Sequence, residues 1–324
     1  MSFTDHVTNQ IKHHELQSDS TLHVVCMISN SARFHSRYRL YREFEQRMLA
    51  TRNVVLYTVE VAFGDRAFEV TESANPHHLQ LRTNQEIWHK ENAINLGVKH
   101  LLPANWKYVC WADADIQWLS PNWALETIHS LQHHHVVQPW SECADQNPYG
   151  GTTQLFRSFT SLVSKGVRQQ ANTKDPYPYG HSGFSVAFTR VFWENVGGLM
   201  DGSILGSGDH HMMWGVIGKI DYSVHQEMTD AFKKMCTDWE TNAFRVTNGF
   251  VGYTPGTIIH AWHGQKRKRF YRERWAILVD NKFDPSVDLR KDAQGLYTVV
   301  GKPQLLQDCH EYFKSRDEDG VSES

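Results

Sequence analysis

The sequence predicts a mixed α/β fold with a mainly parallel sheet, and three observations lead to this fold class. Apolar runs of strand-like composition alternate with amphipathic helical segments. Two such runs, residues 22–28 and 54–61, flank a helical segment at 32–51, and this order implies a parallel strand pair with a right-handed crossover. The 324 residues are 40% hydrophobic and 12% aromatic, which is sufficient for a sizeable core.

The remaining elements follow from the same periodicities. Further strands are predicted at 78–82, 108–112, 136–139, 183–189 and 257–263, and further helices at 85–100, 121–131, 158–170, 190–196 and 209–218. The Gly-, Pro- and Asn-rich stretch 141–181 is expected to be a long loop around the helix at 158–170. The basic run 266–274 is expected to open the last long helix.

Composition limits the domain count and the classes of partner. We expect one domain over residues 21–314, a polar lead-in over 1–20 and an acidic flexible tail over 315–324. The net charge of -3 gives no overall attraction to nucleic acid or membranes. The five cysteines lack CxxC spacing, which favours reduced thiols. No run approaches ~20 consecutive apolar residues, and no signal peptide is recognisable, so we expect a soluble cytoplasmic protein.

The acidic triplet after the strand at 108–112 is the most informative motif. Asp113 and Asp115 are two residues apart, so in an extended chain both carboxylates leave one face, about 7 Å apart. A hard divalent cation that also binds phosphate oxygens suits this gap. Asn30 and Arg33 follow an earlier parallel strand and are expected on the same rim of the sheet. The alternative is a solvated loop with two unrelated acids.

Four segments, taken in order, resemble the GT-A glycosyltransferases, most closely the bacterial, phage and viral members related to family 2. They are Lys90-Glu91 with Asn95, Tyr108 to Ile116, Gly206 to Met213, and His260 to Gly264 with Arg269, Tyr271 and Arg274. The resemblance covers residues 22–280. It implies a GT-A fold, which is a Rossmann-like nucleotide-sugar-binding domain with a mixed, mainly parallel sheet flanked by helices. The implied activity is transfer of a sugar from a nucleotide-diphosphate sugar, most commonly a UDP-sugar.

The resemblance also implies a metal site. Asp115 would bind Mn²⁺ or Mg²⁺ directly, and Asp113 would bind it through water or would contact the ribose. His263 would be a third ligand, and the ion would hold the diphosphate of the donor. His260 lies three positions earlier and would face the other way on a strand, so His263 is preferred. A core histidine satisfied by a hydrogen bond is the alternative for His263.

Asp209 and Gly183 would lie around the transferred sugar in this family. Asp209 would be the general base that deprotonates the acceptor hydroxyl in an inverting reaction, although its place at a helix start also suits an N-cap. Retention of configuration stays open. Gly183 would allow close approach of the donor sugar, or would be an ordinary turn residue.

The other implied contacts concern the donor. Arg269 and Tyr271 match positions of the family on the donor side, and Arg269 would clamp the diphosphate, since guanidinium groups fit phosphate oxygens. A solvated helix face is the alternative for the basic run 266–274. Lys90 and Asn95 would lie on the donor side, with a solvent-exposed helix residue as the alternative for Lys90. Trp111 would be a core residue or would stack against a sugar or base.

The acceptor is open at this point. A glycan, a protein or a small molecule could supply the hydroxyl. Hydroxymethylated pyrimidines in DNA are an alternative that the basic run 266–274 and the long loop 141–181 would favour, with the base flipped out. The slightly acidic chain counts against DNA. A non-catalytic sugar-nucleotide-binding module and a metal phosphohydrolase are rivals from other classes.

Overall fold

The structure, a computed structural model, describes residues 20–166, 180–270 and 273–320. The strands in these residues are β1 (Leu22–Ser29), β2 (Val54–Phe63), β3 (His78–Thr83), β4 (Tyr108–Ala112), β5 (Ile116–Trp118), β6 (Val136–Gln138), β7 (Glu142–Gln146), β8 (Thr152–Arg157), β9 (Ser185–Thr189), β10 (Gly252–Tyr253), β11 (Thr257–His260), β12 (Leu289–Lys291) and β13 (Tyr297–Val299). The helices are α1 (His35–Ala50), α2 (Lys90–Leu101), α3 (Trp123–Leu131), α4 (Phe159–Ser164), α5 (Arg190–Val196), α6 (Gly208–Gly215), α7 (Asp230–Thr247), α8 (Arg274–Asp280), α9 (Pro285–Asp288) and α10 (Pro303–Ser315).

The central sheet has seven strands in the order β10-β6-β9-β4-β1-β2-β3. Strands β1 and β2 are parallel, as the strand-helix-strand pattern predicts, and β4 and β3 extend the parallel set on either side. Strand β9 is antiparallel to both β4 and β6. The predicted fold class, a mixed and mainly parallel sheet flanked by helices, is therefore confirmed.

Both faces of this sheet are buried, which explains why its strands are continuous apolar runs. Val109 and Trp111 of β4 pack in an apolar layer that contains α2, α6 and α7. Cys110 and Ala112 face the opposite layer, which contains α1 and α3. Since side chains alternate along a strand, β4 contributes to both layers and is fixed at the centre of the molecule.

A second sheet, in the order β5-β11-β7-β8, lies directly beyond the end of β4. Strand β11 is antiparallel to β5 and parallel to β7. In this register His260 is paired with Ile116 on one side and with Asp145 on the other. The pairing therefore places β5, β11 and β7, which are distant in sequence, side by side next to Asp115.

Two predicted elements are wrong, and one helix was not predicted. Part of the predicted loop 141–181 is the antiparallel pair β7 and β8, and β7 lies between β11 and β8 in the second sheet. The run 266–274 is not one helix, because a 3₁₀ turn over Lys266–Arg269 ends at Phe270 with φ 46° and α8 begins only at Arg274. The sequence interpretation also missed α7.

The end of the chain also departs from prediction. Residues 315–320 do not form a flexible tail, since Glu318 is 2% exposed and forms an ion pair with Arg37. The buried ion pair with Arg37 therefore holds in place a segment whose acidic composition predicted flexibility. The lead-in over 1–20 lies almost wholly outside the described residues. Among the described helices, none has the length and apolarity needed to cross a membrane.

Candidate active site

The acidic triplet forms the turn that connects the two sheets. Asp113 N–H donates to the carbonyl of Phe184 beside the first sheet (2.9 Å), whereas the Asp115 carbonyl accepts from Ala261 N–H beside the second (2.8 Å). The carboxylate of Asp113 pairs with Lys90. Because the chain turns here instead of staying extended, the two carboxylates have different partners. Asp113 is not among the described residues grouped around Asp115 as possible direct metal ligands, and its predicted role through water or toward the ribose stays a prediction.

Asp115, His260 and His263 form a compact cluster of possible metal ligands. Asp115 Oδ2 lies 2.9 Å from His263 Nε2 and 3.8 Å from His260 Nε2, and the two Nε2 atoms are 3.1 Å apart. The expectation that His260 faces away is wrong. Strand β11 ends at His260, so the alternation of a strand does not extend to His263.

The donor atoms of this cluster fit a transition-metal ion. Ligands bound at about 2.1 Å on adjacent corners of an octahedron lie about 3.0 Å apart; two of the three separations have this value and the third is wider. Asp115 Oδ1 is buried and has no hydrogen-bond partner in the described part of the chain. Two imidazoles and one carboxylate suit Mn²⁺ better than Mg²⁺, which prefers oxygen ligands and water.

Asp145 orients His260 and was not identified from the sequence. Its Oδ1 lies 2.6 Å from His260 Nδ1, and its Oδ2 pairs with Lys266 at 2.7 Å. Burial alone would raise the pKa of Asp145, but His260 and Lys266 lower it to about 2. An ionised carboxylate only accepts, so Nδ1 carries the proton and Nε2 presents its lone pair to the cluster.

Electrostatics keep Asp115 ionised as well. Burial favours the neutral acid, yet the neighbouring His263 and His260 hold the pKa of Asp115 well below its ordinary value. The same attraction raises the pKa of His260 against the effect of burial. The cluster thus concentrates negative charge on the carboxylate and selects for a cation between its three side chains.

The cluster opens into a cavity of about 740 Å³. Asp209, Lys90 and Asn30 line the same cavity, so the first parallel strand, α2 and α6 all contribute side chains to it. Asn30 also bonds the backbone of Phe34 through both ends of its amide (2.8 and 2.9 Å). The carboxyl ends of the strands therefore enclose one pocket, as expected for an open parallel sheet.

Asp209 occupies the first turn of α6. Burial would raise its pKa, but the positive charge of Lys90 and the nearby His181 and His210 lower it, so the carboxylate can accept a proton. A Cβ at Gly183 would lie 2.4 Å from Asp209 Oδ2. Gly183 is therefore needed for the approach of Asp209, and contact with a donor sugar stays a prediction.

Three predicted contacts lie elsewhere. Arg33 is exposed and does not line this cavity. The Asn95 amide is bonded to Leu199 N–H and carbonyl, both at 2.9 Å. Trp111 is 2% exposed and packs under the Lys90 ammonium, 4.0 Å from its ring centroid. Local packing and hydrogen bonding use the side chains of Asn95 and Trp111, so these two residues are structural here.

Arg269 lies beside the metal cluster, with Nη2 2.7 Å from His263 Nε2. It lines the cavity, a position compatible with the predicted diphosphate clamp. Tyr271 falls outside the described residues. The cavity is also lined by Arg37, Arg316 and Glu318, which no sequence pattern indicates because they come from α1 and the chain end.

Neither a protein-family model nor a curated protein matches the sequence. Among solved structures, a mutant of Drosophila β1,4-galactosyltransferase 7 in complex with manganese, UDP-Gal and xylobiose is similar at a TM-score of 0.41 with 11% identity, over 89% of this chain and 98% of that chain. A 4-diphosphocytidyl-2C-methyl-D-erythritol synthase from Anaerococcus prevotii gives 0.35 with 10% identity over 74% and 89%. Mouse xyloside xylosyltransferase 1 gives 0.30 with 9% identity over 71% and 84%. These scores describe a loose similarity of layout and assign no activity.

Proposed function

We propose that this protein is a metal-dependent glycosyltransferase that moves a sugar from a nucleotide-diphosphate sugar, with UDP as the nucleotide, to a hydroxyl acceptor. One observation carries the proposal. The cluster of Asp115, His260 and His263 opens into a cavity that it shares with the ionised carboxylate of Asp209. A cation site and a separate proton acceptor in one cavity are what displacement of a diphosphate by a hydroxyl requires.

The side chains of the cluster would hold Mn²⁺, which when bound neutralises charge on the leaving diphosphate. Asp145 fixes the tautomer of His260 for this task, at 2.6 Å. Arg269 Nη2 currently borders the Nε2 lone pair of His263. A metal ligand needs that lone pair, so in the metal-bound protein Arg269 would turn away from His263 and would be positioned to bind a phosphate oxygen.

Asp209 would take the proton of the acceptor hydroxyl. Direct attack by a hydroxyl activated in this way inverts the configuration at the sugar carbon. Lys90, paired with Asp113, holds the pKa of Asp209 low and keeps it in the basic form. Asp113 would therefore act on the base through Lys90, in addition to its predicted role toward the ion through water or toward the ribose.

The cavity wall beyond Asp209 supports a sugar acceptor. Trp275 and Tyr222 line the cavity, and Trp275 is anchored by its Nε1 to Ser207 Oγ at 3.0 Å. Aromatic faces of this kind can pack against the apolar face of a sugar ring. Two lysines of the basic run that favoured DNA are engaged internally instead: Lys266 pairs with Asp145 and Lys268 with Asp317.

A donor panel tests the proposal. Purified protein is incubated with UDP- and other nucleotide-sugars, with Mn²⁺, Mg²⁺ or chelator, and products are scored by mass spectrometry against oligosaccharides and hydroxymethylated DNA. We expect Mn²⁺-dependent transfer that Asp115→Ala abolishes. Release of only free sugar would indicate a hydrolase, and binding without turnover of any donor would indicate a non-catalytic module; either result overturns the proposal.

A further inference from the structure

The C-terminal strap, residues 316–320, is fixed against the loop that carries the metal cluster. Trp262 Nε1 donates to the carbonyl of Gly320 at 3.1 Å. The Asp319 carboxylate accepts from the first two backbone N–H groups of α1, both at 2.8 Å, where a negative charge is favourable. The strap therefore connects the exit of β11 to the start of α1.

The strap also packs closely on Gly264, the residue after His263. A Cβ at Gly264 would lie 2.7 Å from Glu318 Cα and 2.8 Å from the carbonyl oxygen of Asp317, and the backbone there has φ +91°. Only glycine combines this conformation with this clearance. The backbone conformation at Gly264 therefore leaves the space that the strap occupies.

Three guanidinium groups line the cavity at this point, those of Arg37, Arg269 and Arg316. The one strap carboxylate among them is Glu318, which forms a fork with Arg37 (Nε–Oε2 2.5 Å, Nη2–Oε1 2.7 Å). Glu318 Oε1 also lies 2.9 Å from Arg316 Nε. The charge of Asp115 also acts on Arg37, but Glu318 is the carboxylate that acts on Arg316, so positive charge is in excess around Arg316.

Arg316 shows this excess most clearly. It is 5% exposed, and its Nη1 has no hydrogen-bond partner among residues 20–166, 180–270 and 273–320. Burial lowers the pKa of Arg316, Glu318 opposes this, and the charges of Arg37 and Arg269 lower it further. A buried guanidinium without full compensation is costly, and an incoming anion removes that cost.

We propose that the strap forms part of the donor site, with Arg316 completing a diphosphate subsite together with Arg37 and Arg269. The proposal rests on the proposed function and names the part of the donor that the strap binds. Guanidinium groups bind phosphate oxygens in a fork geometry, and Glu318 holds two of the three in place. A diphosphate carries enough charge to neutralise the excess.

The test is calorimetric titration of the full chain with pyrophosphate and with UDP, both in Mn²⁺. Arg316→Gln should weaken pyrophosphate binding about 10- to 100-fold, while Mn²⁺ binding alone stays within about twofold of wild type. Lys314→Gln, an exposed position on α10, is the matched control and should leave both affinities unchanged. Asp319→Ala, which frees the strap from α1, should weaken pyrophosphate binding in the same direction.

The outcomes separate this inference from the proposed function. Wild-type pyrophosphate affinity in folded Arg316→Gln overturns the inference, and Asp319→Ala decides in the same way if Arg316→Gln does not fold. If pyrophosphate binding depends on Arg316 but no sugar is transferred to any acceptor, the result supports the inference and contradicts the proposed function. If wild type binds neither pyrophosphate nor UDP in Mn²⁺, both fail.

Discussion

Replacement of Asp145 by asparagine should weaken metal binding without touching a metal ligand. Asp145 is 4% exposed, lies 2.6 Å from His260 Nδ1 and is ionised, with a pKa lowered to about 2 by His260 and Lys266 despite burial. Asp145→Asn keeps an acceptor oxygen but removes the charge that orients the ring. Loss of such a carboxylate costs about 10- to 100-fold in metal affinity, or about 1.4 to 2.7 kcal/mol.

The assay is titration of the metal-free protein with Mn²⁺, followed by electron paramagnetic resonance of the free ion. Glu142→Gln is the matched control, because Glu142 is on the same strand and is exposed; its affinity should equal that of wild type. Thermal unfolding of the metal-free proteins checks that Asp145→Asn is folded. Wild-type Mn²⁺ affinity in folded Asp145→Asn would refute the assignment of His260 as a ligand.

Three further predictions concern the base, a buried acid and the strap. Asp209→Asn should leave binding of donor with Mn²⁺ unchanged and lower transfer about 10²- to 10⁴-fold; retained transfer in a labelled-donor assay would place the base elsewhere. Burial raises the pKa of Glu91 to about 8, whereas in the unfolded chain Glu91 ionises near its ordinary pKa. Between these two pKa values the unfolded chain has lost the proton that the folded protein keeps, so the free energy of unfolding falls as pH rises. Urea unfolding should therefore show wild type losing a few kcal/mol relative to Glu91→Gln between about pH 6 and about pH 9, and a pH-independent difference would contradict this. Gly264→Ala places a Cβ 2.7 Å from Glu318 Cα at φ +91° and should lower the free energy of unfolding by about 1 to 3 kcal/mol, and an unchanged melting temperature would show that the strap does not pack there.

Local patterns predicted the parts of the fold that depend on burial. Strand β1, strand β2 and the helix between them follow from apolar periodicity, and their parallel pairing follows from their order. The same reasoning led to Asp115 at the carboxyl end of β4. These features were predictable because both faces of the sheet are buried, so each strand carries its own apolar signal.

The rest depends on contacts between distant residues. Asp145 reaches His260 only because β7 and β11 pair in parallel, and the polar sequence of β7 resembles a loop. His260 and His263 converge because the chain leaves the strand at His260, a change of conformation that no periodicity encodes. Glu318 was expected in a flexible tail, since its composition gives no indication of its buried partner Arg37.

Binding of one metal ion by Asp115, His260 and His263 underlies the proposed function. Pulsed electron paramagnetic resonance of the Mn²⁺-loaded protein measures this directly, through hyperfine coupling to imidazole nitrogen. We predict coupling from two histidine nitrogens in wild type, and from one in each of His260→Ala and His263→Ala. Bound Mn²⁺ without nitrogen coupling, or with coupling that neither substitution alters, would contradict it.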